Sequence, residues 1–273
     1  MITNAELLAA YDDLRFFVPP APPAEHHYEL LGPVLRVTGQ HRGFISAARD
    51  VGLRGEALDA LIAEHRDYFT ARHEAVEWLT HGHDEPNDLT DRLLAAGFLP
   101  EPTETLLVGV AAEMSGPVTL PDGVRLRRVS ERADFDRIAA MQTAVWGEGV
   151  AWIADSLAAR SALPADEFAV YVAEADMGTG GPVVVSAGWL VVKPGTSFAG
   201  LWGGLTLAQW RQQGIYRALV AQRASLAVEL GVRYLQVHAT DNSRPVLERL
   251  GMRALTTATP YVWTPPPLTA VQH

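Results

Sequence analysis

The sequence predicts a mixed α/β chain, an α+β arrangement around a mixed sheet, and three observations point there. Residues 124–263 alternate strand-like and helix-like stretches in the order β-α-α-β-β-β-α-β-α-β. The strongest helical stretch stops at Gly231 in the C-cap role, and a later short one stops at Gly251. Residues 34–110 then repeat the last part of that order, so the chain reads as one complete unit preceded by a truncated copy.

The elements follow in order. A short helix over residues 4–14 is cut off by the prolines at 19–23. Residues 34–38 and 43–48 read as strands, 56–71 as a helix, 75–80 as a strand, 89–96 as a helix and 105–110 as a strand. A Gly-, Pro- and Ser-rich break at 113–123 reads as a linker. Beyond it, 124–129 alternates as a strand. Residues 133–146 carry Phe135, Ile138, Ala139, Met141 and Val145 at helical spacing. A second helix covers 151–163. Strands cover 168–173, 183–193 and 198–207. The longest helix covers 215–230, a strand 234–239, a short helix 243–250 and a closing strand 253–263. The copy repeats in detail: Leu93-Leu94-Ala95-Ala96-Gly97-Phe98 stands where Leu247-Glu248-Arg249-Leu250-Gly251-Met252 stands in the complete unit. Two unrelated α/β segments are the alternative to this tandem.

The bulk numbers bound the function. The chain's 273 residues suffice for one large domain or two modest ones. It has no cysteine, which excludes disulfides, cysteine nucleophiles and thiolate metal sites, and makes a reducing cytoplasm the expected compartment. The start lacks a basic segment and an apolar signal core. The longest apolar stretch, 182–192, is broken by Ser186 and Gly188 and is too short to span a bilayer. A net charge of −10 argues against nucleic acid as a partner. It also makes the local clusters Arg125, Arg127, Arg128 and Arg211, Arg217 conspicuous as places for an anionic ligand, and weakly favours a cationic acceptor.

The sharpest chemistry-bearing segment is Leu205-Thr206-Leu207-Ala208-Gln209-Trp210-Arg211-Gln212-Gln213-Gly214-Ile215-Tyr216-Arg217. A strand runs into a short loop that opens the longest helix. A helix N-terminus offers unpaired N–H groups and a partial positive charge. Gly214 lets backbone approach an anion closely, and Arg211 and Arg217 add formal charge. These are the parts of a pyrophosphate cradle. A strand–turn–helix with a glycine kept for packing is the plainer alternative.

This segment resembles the GNAT superfamily of N-acetyltransferases. The family's pyrophosphate motif, Arg/Gln-x-x-Gly-x-Gly/Ala, is matched by Arg211-Gln212-Gln213-Gly214-Ile215-Tyr216. It departs at its last position, so Tyr216 must point away from the phosphates or flank them. The segment 243–252 resembles the family's short helix ending in Gly-Phe. The resemblance covers residues 124–263 in full and 34–110 in degenerate form. It implies a GNAT fold in tandem, with a degenerate N-terminal domain at 1–115 and a catalytic domain at 120–273. It also implies that the strand over 198–207 splays from the strand over 234–239 and that a pantetheine arm fills the gap. Backbone groups of Leu205 and Leu207 would pair with that arm, and the amides of Gln213, Gly214, Ile215, Tyr216 and Arg217 would hold the pyrophosphate. Glycines in Trp202-Gly203-Gly204 suit a bulge that frees amides near the thioester.

The implied activity is an acyl-CoA-dependent N-acyltransferase. Acetyl would pass from acetyl-CoA to the amine of a small molecule by direct attack in a ternary complex. Alternatives are another acyl-thioester enzyme on this scaffold (carrier-dependent acyl transfer or decarboxylation) or a non-catalytic CoA-binding regulatory protein. Acetyl-CoA or another acyl-CoA is the expected donor, with no metal. The expected partner is a small amine, with neither nucleic acid nor membrane, and a homodimer is compatible with the sequence. Many relatives place an acidic tyrosine where this chain has Leu247. Tyr216 and Tyr261 are stand-ins, or else structural aromatics. Candidate bases are Glu148 in the turn 146–149, His238 on the strand 234–239, and Glu174. Each has a bland alternative: a solvated turn carboxylate, a satisfied half-buried histidine or a strand-end carboxylate. The N-terminal copy, with Arg49-Asp50-Val51-Gly52-Leu53-Arg54-Gly55 at its strand–helix junction, lacks the motif's spacing and is expected to bind no CoA. His81 and His83 lack further ligands at metal spacing.

Overall fold

The structure is a computed structural model and describes residues 2–147, 152–178 and 181–267. Two compact units emerge. One comprises Met1–Val18, Ala24–Leu106 and Leu255–His273, and the other Pro19–Pro23 and Leu107–Ala254. This division differs from a boundary at 115–120: it falls inside two strands, and the chain's last strand serves the first unit for most of its length.

In the first unit, α1 (Asn4–Asp12) starts with a capping box. The Thr3 side chain accepts from the Glu6 amide at 3.2 Å, and the Glu6 carboxylate accepts from the Thr3 amide at 2.7 Å. Strands β1 (His27–Leu31), β2 (Val34–Thr38) and β3 (Gly43–Ala47) form an antiparallel meander. Helix α2 (Glu56–Ala71) buries Leu58, Ile62, His65 and Phe69, a one-face stripe at spacings of three and four. It crosses over to β4 (Val76–His81), which runs parallel to β3. Helix α3 (Leu89–Ala95) and the two-residue β5 (Leu99–Pro100) precede β6 (Glu104–Val110), which carries the chain into the second unit. The core gathers Val34, Ile45, Leu58, Ile62, Phe69, Trp78, Leu93 and Phe98. His81 and His83 are structural here. His81 meets the Tyr11 hydroxyl at 3.3 Å, and His83 meets Asp12 at 3.1 Å and Thr256 at 3.1 Å.

The second unit continues with the single turn α4 (Ala111–Met114) and then β7 (Val124–Val129). Helices α5 (Arg132–Trp146) and α6 (Trp152–Arg160) follow. β8 (Phe168–Ala175), β9 (Val183–Val192) and β10 (Phe198–Thr206) extend β7 into an antiparallel meander. Helix α7 (Ile215–Glu229) crosses over to β11 (Tyr234–Ala239), parallel to β10. Helix α8 (Arg244–Arg249) leads to β12 (Arg253–Trp263), whose Ala258–Trp263 stretch pairs antiparallel with β4 in the first unit.

Alternation sends the sheet's side chains to two cores. On one face, Phe168, Val170 and Val172 pack with Phe135, Ile138 and Met141 of α5 and Ile153 and Leu157 of α6. On the other, Leu190, Ala199, Leu201 and Leu235 pack with Val220, Ala224 and Ala227 of α7 and with Leu247. The glycine stops have one geometry. After α7, Val232 N bonds Ala227 O at 2.8 Å and Gly231 N bonds Val228 O at 3.0 Å. After α8, Met252 N bonds Leu247 O at 3.1 Å and Gly251 N bonds Glu248 O at 3.0 Å. After α3, Phe98 N bonds Leu93 O and Gly97 N bonds Leu94 O, both at 3.0 Å. All three are the left-handed double-bonded cap that favours glycine. The segments 93–98 and 247–252 thus end in the same backbone hydrogen bonds, as does α7.

Candidate active site

The site is built where β10 leaves its neighbours. β10 and β11 pair through Phe198↔Tyr234, Ala199↔Leu235 and Gly200↔Gln236, and no further. β10 runs on to Thr206 and β11 to Ala239. Among the described residues the ladder between the two strands stops at Gly200, so past it they open a wedge. On its other edge β10 slips register against β9 between Trp202 (opposite Trp189) and Leu205 (opposite Ala187). Gly203 and Gly204 thus form the bulge expected from their composition.

Large side chains fill the space the glycines leave. A Cβ on Gly203, where φ is +61°, would lie 1.9 Å from the Trp189 ring. On Gly204 it would lie 2.8 Å from the Tyr216 ring, and on Gly188 it would lie 2.8 Å from an Arg223 nitrogen. No side chain larger than hydrogen fits at these positions without displacing a neighbour.

Because Ala199, Leu201 and Leu235 belong to the α7 side, Gly200, Trp202, Gln236 and His238 face the α5–α6 side. His238 is half-buried, two residues past the last β10–β11 pair, and Trp202 holds the matching place across the opening. Gln142 of α5 is buried and reaches the Gly203 carbonyl at 3.5 Å.

The β10 end also differs from expectation. The Leu207 amide donates to Val185 O at 2.9 Å, so it is committed to β9 and is not free for a pantetheine arm. By alternation the Leu205 groups face β9 as well, and those of Gly204 and Thr206 face away from it. The Thr206 carbonyl accepts from Arg211 Nε at 3.1 Å, and its hydroxyl meets Ser186 at 2.7 Å.

At the mouth of α7 the expected cradle residues come together. Gly214 adopts φ +80°, ψ −6°, a left-handed conformation that strains any other residue. A Cβ there would touch only the Thr119 carbonyl, at 3.7 Å, so the space above it is open. The first backbone bond of α7 runs from Ala218 N to Gly214 O, which leaves the amides of Ile215, Tyr216 and Arg217 ahead of the helical ladder. Arg211, Gln212, Gln213 and Arg217 are exposed around them, with the Gln213 side chain turned back to Gln209 O at 3.1 Å. Ile215 is buried with Val124, Ala173 and Val185, and Leu120 packs on that cluster. The segment expected to be a bare linker therefore helps build the site's floor. These residues fit a pyrophosphate: open space, unbonded amides and two exposed arginines.

Other candidates separate. Glu148 lies outside the described residues. Glu174 is buried in ion pairs with Arg127 at 2.9 Å and Arg137 at 2.9 Å. Its hydrogen bonds from Arg127, then from Arg137, hold its carboxyl down to about 2, far too acidic for a base near neutral pH. Arg125 and Arg127 serve that network, and Arg128 bonds the Ala165 carbonyl at 2.6 Å, so this basic cluster is already engaged by groups of the chain itself. Tyr216 packs against Gly204, and burial pushes its phenol up. Tyr261 belongs to the core of the first unit. Leu247 is fully buried in the α7 core and can move no proton. Sequence reasoning missed Gln142, the Trp189–Trp202 pair and Arg223. Strand register sets the Trp189–Trp202 pair, and the packing of α5 and α7 on the sheet brings Gln142 and Arg223 to it.

Comparison with solved structures places this architecture. The chain resembles a GCN5-related N-acetyltransferase from Kribbella flavida, with TM-score 0.69, 15% identity and 98% of each chain covered. It also resembles a tandem GNAT protein from the clavulanic acid biosynthesis pathway, with TM-score 0.60, 13% identity and 97% of each chain covered. A third likeness is to a GCN5-related N-acetyltransferase from Sphaerobacter thermophilus, with TM-score 0.58, 13% identity, and 98% of this chain and 95% of that one covered. No protein-family model and no curated protein sequence matches the chain. At these identities the likeness concerns the fold: a mixed α/β architecture shared with GNAT proteins, a tandem one among them. No helix among the described residues is long and apolar enough to cross a membrane.

Proposed function

We propose that this chain is an acyl-CoA-dependent N-acyltransferase that moves an acetyl group from acetyl-CoA to the amine of a small molecule. The observation that carries the reading is the β10–β11 wedge beyond Gly200↔Gln236, which leads along β10 to the open, glycine-started N-terminus of α7. An extended pantetheine fits a gap between two strands whose ladder has ended. A pyrophosphate fits the amides of 215–217 with Gly214 beneath and Arg211 and Arg217 beside them.

The chemistry is direct transfer. The amine lone pair attacks the thioester carbon, a C–N bond forms, and the carbonyl pair moves to oxygen. The pair returns, the C–S bond breaks, and the thiolate leaves while the amine gives up one proton. Bulge amides at 203–204 are suited to the developing oxyanion. The amine is taken to enter from the α5–α6 side, where His238 lies at the wedge and is the residue suited to take the proton. With Leu247 in the tyrosine's place, the thiolate leaves without a dedicated acid. This is tolerable because a thiol pKa of about 8.5, by analogy with cysteine, makes it a fair leaving group.

The test is thiol release from acetyl-CoA by the purified chain over an amine panel, with product masses recorded. Amine-dependent release and a product heavier by one acetyl group support the reading. Acetyl-CoA that binds but is never turned over would favour a non-catalytic CoA-binding protein. Loss of CO₂ from a carboxyacyl thioester would favour a decarboxylase.

A further inference from the structure

Beneath the bulge, on the α7 side, lies a charged group that the mechanism above does not use. Arg223 projects from the middle of α7 and is 1% exposed. Its Nε donates to Leu219 O at 3.0 Å, one turn back on its own helix. Its Nη1 donates to Trp189 O and to Trp202 O, each at 3.3 Å. Among the described residues no carboxylate pairs with it, and its Nη2 is buried without a partner. Gly188 makes room for it.

For stability alone this arrangement is a poor choice. A buried charge without a counter-ion is costly, and an apolar side chain of similar volume commonly does better. What the guanidinium gains is contact with two carbonyls, one on each strand, at the pair where the β9–β10 ladder breaks. The Trp202 carbonyl belongs to the same peptide unit as the Gly203 N–H. A hydrogen bond from a cation to that carbonyl polarises the peptide and makes its N–H a stronger donor.

We propose that Arg223 is a positioning residue for acyl transfer: from beneath the sheet it clamps the Trp202 and Trp189 carbonyls, fixes the Gly203–Gly204 bulge, and strengthens the bulge amide that meets the thioester oxygen. The inference rests on the acyltransferase reading, because it needs a thioester at the bulge. Burial lowers the Arg223 guanidinium to about 10, which leaves it charged at neutral pH. Its positive field then adds to the polarised amide as negative charge grows on the carbonyl oxygen.

The experiment compares the parent chain with Arg223→Met and Arg223→Lys. It measures melting temperature, acetyl-CoA affinity by calorimetry, kcat and KM for an accepted amine, and the carbonyl stretch of bound acetyl-CoA labelled with carbon-13 at the thioester. The methionine variant should melt at or above the parent temperature and bind acetyl-CoA within about threefold. It should lose about 30- to 100-fold in kcat, somewhat less than removal of a direct oxyanion donor costs. Its bound thioester should absorb at higher wavenumber than in the parent. The lysine variant keeps the charge without the fork, and should recover part of both effects. A methionine variant with parental kcat, or an unshifted carbonyl stretch in an active enzyme, overturns the proposal. If the methionine variant does not fold, the lysine variant decides: reduced kcat at unchanged acetyl-CoA affinity supports the clamp, and parental kcat overturns it. A parent chain that neither binds acetyl-CoA nor releases thiol overturns the acyltransferase reading and this inference with it, an outcome distinct from an active parent with an equally active variant.

Discussion

At the residue scale, two side chains at the wedge have opposite expected weights. His238 lies on the α5–α6 side past the last β10–β11 pair, half-buried. Tyr216 packs on the other face against Gly204, where burial raises its phenol and makes it a poorer proton donor. His238→Ala should therefore lower kcat/KM by about 10²-fold near neutral pH, within the range for a general base. The deficit should shrink as pH rises, because the amine then loses its proton to solvent and the base is no longer needed. Tyr216→Phe should stay within about tenfold at every pH. Rate–pH profiles of the two variants check this. A thousandfold loss in Tyr216→Phe with normal acetyl-CoA affinity would reverse the assignment. The residue that sequence could identify here was Gly214, because a glycine between arginines at a strand-to-helix junction has a physical reason to be there. Arg223 was not legible. In sequence it is one more polar residue on a long helix, and only the register of β9 against β10 sets the Trp189 and Trp202 carbonyls above it.

At the element scale, legibility followed burial and length. Helix α2 and strands β7, β11 and β12 have the expected ends, and in α2 a one-face apolar stripe runs the full length. Strand β1 escaped notice because it is an edge strand with little burial and so no alternation to read. The turn α4 escaped because four residues carry no period. The bulge was suggested by Gly203-Gly204, but the wedge rests on where pairing stops, which is a tertiary property. One element-level device has a measurable consequence. Glu174 on β8 gathers Arg125, Arg127 and Arg137, which ties β7, β8 and α5 together. Its folded-state pKa is depressed from 4.5 to about 2. Its contribution is thus fully present above the unfolded value and is lost as pH falls from about 4.5 towards 2. Glu174→Gln should cost about 2 kcal/mol at neutral pH, the scale of a hydrogen bond to a charged group. The gap between parent and variant melting temperatures should close as pH falls through that window. A gap that stays constant down to pH 3 would show that the carboxylate's charge is not what ties these elements.

At the scale of the whole molecule, the two units share an element order but not the device that would hold a coenzyme. In the second unit, β10 and the parallel β11 part after Gly200↔Gln236, and the following loop reaches α7 through a left-handed glycine under open space. The parallel strands of the first unit, β3 and β4, stay in register from Gly43↔Val76 to Ser46↔Leu79, nearly the whole of β3, so among the described residues no such wedge opens between them. Its strand–helix junction is also electrostatically wrong for a phosphate. Asp50 sits in the loop and takes up Arg54 at 2.9 Å, and its carboxylate also accepts from the Gly52 amide at 2.9 Å, so both a cation and an N–H that could meet an anion are already used. Calorimetric titration should accordingly show a single acetyl-CoA bound per chain. Gly214→Glu should abolish that binding rather than halve it: the larger residue is strained at φ +80°, its carboxylate enters the open space, and its charge opposes the pyrophosphate. Binding of two acetyl-CoA per chain, or a residual site in Gly214→Glu with parental affinity, would place a coenzyme in the first unit and overturn the division of labour argued from the pairing of β3 with β4.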